Sequence, residues 1–305
     1  MKDHATPVVP VRARGDYRQS ALVLGTAQLG GAYGIANRTG MPDDDATVRM
    51  LTAARDLGVT HLDTARAYGD SEHRIGAALG DLGLAVITKV APGGDVRASI
   101  AASRAALGVT GPLTILLHRA ADADAGWADL RGCLVTGEAD RVGVSVQSPD
   151  ELRRVLTLPD LGYVQLPCNI LDRRWLAGDL TDALAARPDL VVTVRSAYLQ
   201  GLLAAGTGVR WPHLSDDRRD AVVATLDRLA AELGRADRAD LCLAYLLSLP
   251  WVTSLVVGAE TEEQLRRNAE LIGREPLTVA ERERTVAALP EMPVELLDPS
   301  RWPAR

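Results

Sequence analysis

From about residue 20 onward the chain alternates two patterns. Short apolar runs rich in Val, Ile, Leu and Thr are followed by stretches with apolar residues every three or four positions. The first pattern suits buried strands and the second amphipathic helices. Eight strands are predicted, at 21–27, 60–65, 84–90, 113–118, 141–146, 163–169, 190–197 and 253–259. Helices are predicted between them, such as DATVRMLTAARDLG after the first strand and TEEQLRRNAELI after the eighth. Nearly continuously apolar strands, each followed by a helix, imply an all-parallel sheet with helices over its outer face. A closed (β/α)8 barrel and an open doubly wound sheet both meet that description. Eight units in about 250 residues fit the barrel. The stretch GTAQLGGAYG after the first strand also lacks the GxGxxG spacing of an open dinucleotide-binding sheet. The expected fold class is α/β, a single (β/α)8 TIM barrel over 20–290 with an extra C-terminal helix, TVAERERTVAAL. Residues 1–19, polar with Pro and Arg, read as a flexible N-terminal tail, and 291–305 as a Pro-rich C-terminal tail.

Composition adds exclusions. With 47% hydrophobic and 24% charged residues the chain is an ordinary globular protein, neither disordered nor fibrous. The net charge of −6, with arginines and acids interspersed, gives no basic stripe, so nucleic acid is not an expected partner. No apolar run approaches the ~20 residues that span a bilayer, and MKDHATPVVPVRARGD has no signal-peptide core. A cytoplasmic location away from membranes is expected. Cys133, Cys168 and Cys242 have neither metal-ligand nor disulfide-framework spacing, so no metal is expected. Oligomeric state stays open. One count changes the picture. Of 34 basic residues, only Lys2 and Lys89 are lysines. Lys89 ends the apolar strand LAVITKV, where a compact cation whose pKa responds to burial has a use that arginine does not share. A snorkelling side chain is the plain alternative.

In a barrel of this kind, chemistry gathers at the C-terminal ends of the strands. The second strand ends in Asp63, with Tyr68 in the loop beyond it; the third ends at Lys89 and the fourth at His118. The fifth ends at Ser145, the sixth at Gln165 and Asn169, and the seventh at Arg195 and Ser196. Singly, Asp63 reads as a turn cap and His118 as a core histidine. Together, an acid, an ammonium and an imidazole on three consecutive strands, with a phenol beside them, read as a site. A phenol of pKa about 10 is a weak acid at neutral pH, and a nearby ammonium favours its phenolate. An Asp–Lys pair would hold that ammonium in place. Such a tyrosine can protonate a carbonyl oxygen as hydride reaches the carbon, or take the alcohol proton in reverse. A histidine facing the same oxygen can orient it.

HLDTARAYGDSE, VITKV and LLHR resemble three signature segments of the aldo-keto reductases, with Asp63, Tyr68, Lys89 and His118 in that family's catalytic order. GVSVQSPDEL, QLPCNILDRR, VRSAYLQGLL and VVGAETEEQLRRN are similar to its cofactor-side segments, so the resemblance covers 21–275. It implies a barrel that binds a nicotinamide dinucleotide across the strand C-termini. Hydride then passes between the cofactor and a small-molecule aldehyde, ketone, alcohol or sugar. RSAYLQGLL and LGTAQLGGAYGIAN most resemble a bacterial subgroup associated with polysaccharide and sugar metabolism. The resemblance pairs Asp63 with Lys89, makes Tyr68 the general acid/base and has His118 orient the carbonyl. It puts Ser145 and Gln165 on the nicotinamide carboxamide, and Gly25 and Thr26 where backbone approaches the cofactor. Ser196, Leu199 and Gly201 fall along the pyrophosphate, and Gly258, Gln264 and Asn268 around the adenosine.

The chain departs from the family pattern at three places. Val146 stands where asparagine usually follows the strand-five serine. Arg195 replaces a common aromatic that stacks on the nicotinamide, a role a guanidinium plane can share. Where NADPH-preferring relatives often have Lys or Arg, the chain reads GAETEEQ, with Gly258 and Gln264 at two of those positions and Glu260 and Glu262 close by. The family's habit puts NADP(H) slightly ahead, while the local acids argue for NAD(H). Substrate contacts are expected from loops 33–39, 120–127 and 206–214, with Tyr33, Arg66, Trp127 and Trp211 as candidates beside plainer readings as packing or surface residues. Two other functions stay open: a nicotinamide-binding sensor or partner protein with little catalysis, and a barrel lyase or aldolase using Lys89 as a Schiff-base amine.

Overall fold

In the computed structural model, which describes residues 9–303 apart from 32 and 38, the eight predicted strands close into a barrel. Strands β1 (Val11–Arg14) and β2 (Tyr17–Ser20) precede it as an antiparallel hairpin. The barrel runs β3 (Leu22–Gly25), β4 (His61–Asp63), β5 (Ala85–Val90), β6 (Leu113–Leu117), β7 (Ala139–Ser145), β8 (Tyr163–Pro167), β9 (Val191–Arg195) and β10 (Ser254–Gly258). All neighbours are parallel, and β10 pairs with both β9 and β3, so no edge is left open.

The helices are α1 (Asp44–Asp56), α2 (Ser71–Leu79), α3 (Val96–Leu107), α4 (Ala123–Thr136), α5 (Pro149–Val155), α6 (Gly178–Ala185), α7 (Leu202–Ala205), α8 (Asp216–Glu232), α9 (Arg238–Leu247), α10 (Glu262–Ile272), α11 (Val279–Ala288) and α12 (Val294–Leu297). Polar side chains start many of them: Asp43, Asp95, Ser148, Asp237 and Thr261 each accept from a first-turn backbone N–H. The extra C-terminal helix is α11, opened by a capping box between Thr278 and Glu281.

Strand parity explains how the barrel builds its rim. Leu22, Leu24, Val86, Ile115, Leu117, Val164 and Val192 face the helices in the large outer core. Val23, Ile87, Leu116, Tyr163 and Val191 form a separate small core inside the barrel. Side chains alternate along a strand, so two residues beyond these inner positions the chain again faces the barrel axis. Those next positions are Gly25, Lys89, His118, Gln165 and, one further step along, Arg195.

One terminal expectation changes. From Val9 onward the stretch read as a flexible tail packs on the barrel, its hairpin lying across the N-terminal mouth. Tyr17 Oη bonds His61 Nε2 at 2.9 Å and Thr114 Oγ1 at 3.0 Å, Gln19 Nε2 donates to Tyr163 Oη at 3.2 Å, and Arg141 lies 4.6 Å over the Tyr17 ring. Arg12 and Arg14 bond Val252 O and Thr253 Oγ1, each at 3.0 Å. The segment looks loose in sequence because its partners are polar groups of distant strands. The rest of that expected tail, 1–8, lies outside the described residues. At the other end Leu296 and Leu297 of α12 are buried, and Trp302 Nε1 donates to Leu296 O at 3.0 Å.

Candidate active site

Strand β4 delivers Asp63 and then turns. Thr64 N–H donates to Ile87 O at 2.8 Å and Arg66 N–H to Lys89 O at 3.1 Å, so the chain follows β5 a little further before breaking away. Tyr68 N–H donates to Ala65 O and Ser71 N–H to Tyr68 O, both at 3.0 Å. The loop after β3 clamps this turn. A Cβ on Gly69, whose φ is +53°, would lie 2.3 Å from Gly30 O, and one on Gly30 would lie 1.6 Å from Tyr68 O. Only hydrogen fits at either position. Hydroxyls tie the same corner: Thr26 Oγ1 donates to Asp63 O at 2.8 Å and Ser71 Oγ to Thr26 O at 2.9 Å.

Strand β5 brings Lys89 to the same place. Its Nζ donates to Asp63 Oδ1 at 2.8 Å and to Thr64 O at 2.9 Å, and lies 5.0 Å from the Tyr68 ring centroid. Lys89 and Asp63 are only 1% and 2% exposed, so this pair sits out of bulk water. Burial works against the ammonium, but the Asp63 carboxylate and its hydrogen bond outweigh it and hold the Lys89 pKa above its usual value. The other carboxylate oxygen, Oδ2, accepts from Gln165 Nε2 at 2.7 Å. The His118 ring stands edge-on to Tyr68, with centroids 5.8 Å apart at 86°. Burial, reinforced by Lys89, Arg195 and Arg119, depresses the His118 pKa to about 4. At neutral pH its imidazole is uncharged.

A cavity of about 520 Å³ opens beside this rim. Asp63, Tyr68, Gly25 and Thr26 line its near end, and Tyr33, 45% exposed, overhangs it. It runs past Arg195, Ser196 and Gly201 to Gly258, Gln264 and Asn268 beside α10. Ser145 and Gln165 are buried and stand opposite each other in the β7–β8 register. Leu199 is fully buried in the outer core and, like Lys89, His118, Ser145 and Gln165, does not itself line the cavity. Its contribution is to the backbone, since Ser196, Leu199, Gln200 and Gly201 all take positive φ in the loop that bounds the cavity.

Three substrate candidates lie elsewhere. Trp127 is buried in α4 with Nε1 donating to Pro159 O at 3.1 Å, and Trp211 is buried with Nε1 donating to Gly206 O at 3.0 Å. Each indole N–H has found the carbonyl that burial demands, and neither ring lines the cavity. Arg66 pairs with Glu72, a buried α2 carboxylate that also accepts from Thr88 Oγ1 at 2.6 Å. Glu72, Gly30 and Gly69 build the site without having been singled out by the sequence patterns. Their signal was present: a glycine directly after the tyrosine, and an acid in the helical turn that follows.

A lysine–carboxylate pair, a phenol and a neutral imidazole thus stand together at the C-terminal rim of a parallel barrel, beside the cavity. The sequence model of the Aldo/keto reductase family matches residues 21–288, and the chain belongs to that family of NAD(P)-dependent oxidoreductases. Its fold is similar to that of the aldo-keto reductase AKR11C1 from Bacillus halodurans in its holo form (TM-score 0.76, 21% identity, 93% of this chain and 97% of that one). It is also similar to the glycerol dehydrogenase AKR11B4 from Gluconobacter oxydans (TM-score 0.74, 21% identity, 93% and 95%). A search of curated protein sequences gives no match. The residues present fit a nicotinamide dinucleotide. Gln165 Oε1 and His118 Nδ1 are buried polar atoms at the rim with no hydrogen-bond partner among the described residues. The cavity volume falls within the ~300–1,000 Å³ of cofactor and small-molecule sites. Among the described residues no helix is long and apolar enough to cross a membrane, and no His, Cys, Asp and Glu cluster could hold a metal ion.

Proposed function

We propose that this protein reduces the carbonyl of an aldehyde, ketone or sugar-like substrate, or oxidises the corresponding alcohol, with Tyr68 as proton donor and acceptor. The observation carrying this reading is the Lys89 ammonium, fixed 2.8 Å from Asp63 Oδ1 and 5.0 Å from the Tyr68 ring centroid. The chemistry that a bound nicotinamide would supply is the hydride for the carbonyl carbon, or its acceptor in the reverse direction. Tyr68 gives its phenolic proton to the carbonyl oxygen as the C=O π electrons move onto that atom. Lys89 stabilises the phenolate left behind, which solvent reprotonates. His118, being neutral, donates one ring N–H to the same oxygen and holds it in line. Gln165 and Ser145 would hold the carboxamide, Arg195 would lie against the nicotinamide, and Gly25, Thr26, Ser196 and Gly201 would hold the middle of the dinucleotide. Gly258, Gln264 and Asn268 would hold its adenosine end. The likeness to a glycerol dehydrogenase makes small polyols and their carbonyl forms the first substrate panel. A Schiff-base role for Lys89 fits poorly, because an amine held protonated by a carboxylate is not a nucleophile.

The test is Tyr68→Phe, which keeps the ring and removes the proton. The protein, preloaded with reduced dinucleotide, is mixed rapidly with 4-nitrobenzaldehyde and nicotinamide oxidation is followed by absorbance. The variant should be slower by roughly 10²–10⁴-fold, with dinucleotide affinity kept. An unchanged rate removes Tyr68 from the reaction.

A further inference from the structure

We infer that the far end of the cavity selects NAD(H) over NADP(H), with Glu260 as the specificity-determining residue. The inference rests on the hydride-transfer reading, which fixes the nicotinamide beside Tyr68. The adenosine half of an extended dinucleotide must then reach the other end of the cavity, at the first turns of α10. There Ala204, Ala239 and Leu271 supply apolar lining, and Glu260, Glu263 and Arg267 supply the charges.

The two cofactors differ by one phosphate monoester on the adenosine ribose. That group carries nearly two negative charges and needs a cationic fork, whereas a free ribose hydroxyl is well served by a carboxylate acceptor. The wall offers the second environment. Among the described residues Arg267 is the only cation lining this end, and it is already engaged: Nη2 donates to Asp237 Oδ2 at 3.2 Å and Nη1 to Glu270 Oε2 at 3.1 Å. Arg266 bonds Glu262 at 2.8 Å and does not line the cavity. Glu260 is held at the cavity wall, its backbone N–H donating to Gln264 Oε1 at 2.8 Å and its Oε2 accepting from Thr39 Oγ1 at 3.1 Å. The N-terminus of α10 would attract an anion, but Glu262 and Glu263 in its first turn already answer that partial charge. A 2′-phosphate placed here meets two carboxylates and one guanidinium held by two more acids.

Fluorescence titrations of the full chain with NADH and, separately, NADPH test this at low ionic strength, where the charges are least screened. NADH should bind at least about tenfold more tightly, a conservative size for one uncompensated charge contact. Glu260→Arg should move the affinity ratio toward NADPH by about tenfold or more, and Glu260→Gln should move it part of the way. Circular dichroism melts of both variants check that they fold. Equal or tighter NADPH binding by the unaltered chain overturns the inference, as does a ratio that neither variant moves. Binding of neither dinucleotide is a different result: it overturns the hydride-transfer reading itself, and the selectivity with it.

Discussion

Lys89→Met separates two things that the buried ion pair does. The substitution removes the ammonium and leaves the Asp63 carboxylate, 2% exposed, with Gln165 Nε2 as its remaining side-chain donor. Breaking a buried pair in this way typically costs about 3–5 kcal/mol, much of it from the charge left unpaired. Adding Asp63→Asn should recover about 2–3 kcal/mol. The amide is isosteric and uncharged, and its oxygen still accepts from Gln165; Thr64 O loses its lysine donor, and two amide N–H groups stand where Asp63 Oδ1 accepted from Lys89. Urea denaturation of the wild type, both single variants and the double variant measures this coupling. Activity should behave differently. Both Lys89→Met and the double variant lose the ammonium over the Tyr68 ring, so both should lose on the order of 10²-fold or more in single-turnover reduction. A double variant no more stable than Lys89→Met would refute the charge account of stability. Recovered turnover in the double variant would refute the role of Lys89 in chemistry.

The remaining predictions probe the frame of the site. Burial depresses the His61 pKa to about 4, so the unfolded chain, titrating near 6.5, binds more protons between those values. His61 therefore contributes fully above about pH 6.5, and about 3 kcal/mol is lost as pH falls toward 4. Urea midpoints at pH 7.5 and 4.5 should show a clearly shallower dependence in His61→Gln, and an unchanged dependence would rule His61 out. Gly69→Ala puts a Cβ 2.3 Å from Gly30 O at φ +53° and should cost about 1–3 kcal/mol with a larger loss of turnover, because it displaces Tyr68. Wild-type stability and rate in that variant would show that the clamp is not needed.

The barrel was legible because its period-two and three-to-four patterns are strong and repeated. The eighth strand, for example, was expected at 253–259 and runs Ser254–Gly258. The same parity that made the strands readable carried Lys89, His118 and Gln165 to the rim, so the shared location of the site residues was readable too. What escaped depends on contacts between distant residues. The hairpin VRARGDYRQS shows little apolar alternation, and Gly15, at φ +59°, is a local signal of its turn. The placement of half-buried Tyr17 makes sense only once His61, Thr114 and Tyr163 form a polar mouth to receive it. Trp127 and Trp211 could not be told from cavity walls without knowing that a backbone carbonyl waits for each indole N–H. Arg66 was read without Glu72, its partner six residues along in the chain.

The most direct test of the central claim is isotope transfer. The protein is incubated with reduced dinucleotide carrying deuterium at both C4 positions of the nicotinamide and a panel of small aldehydes, ketones and hydroxyketones, and the alcohols are analysed by mass spectrometry. The account predicts one deuterium on the new carbinol carbon with the wild type, formed at least about 10²-fold more slowly by Tyr68→Phe. Dinucleotide binding with no deuterium in any product, or equal transfer by the two proteins, would contradict it.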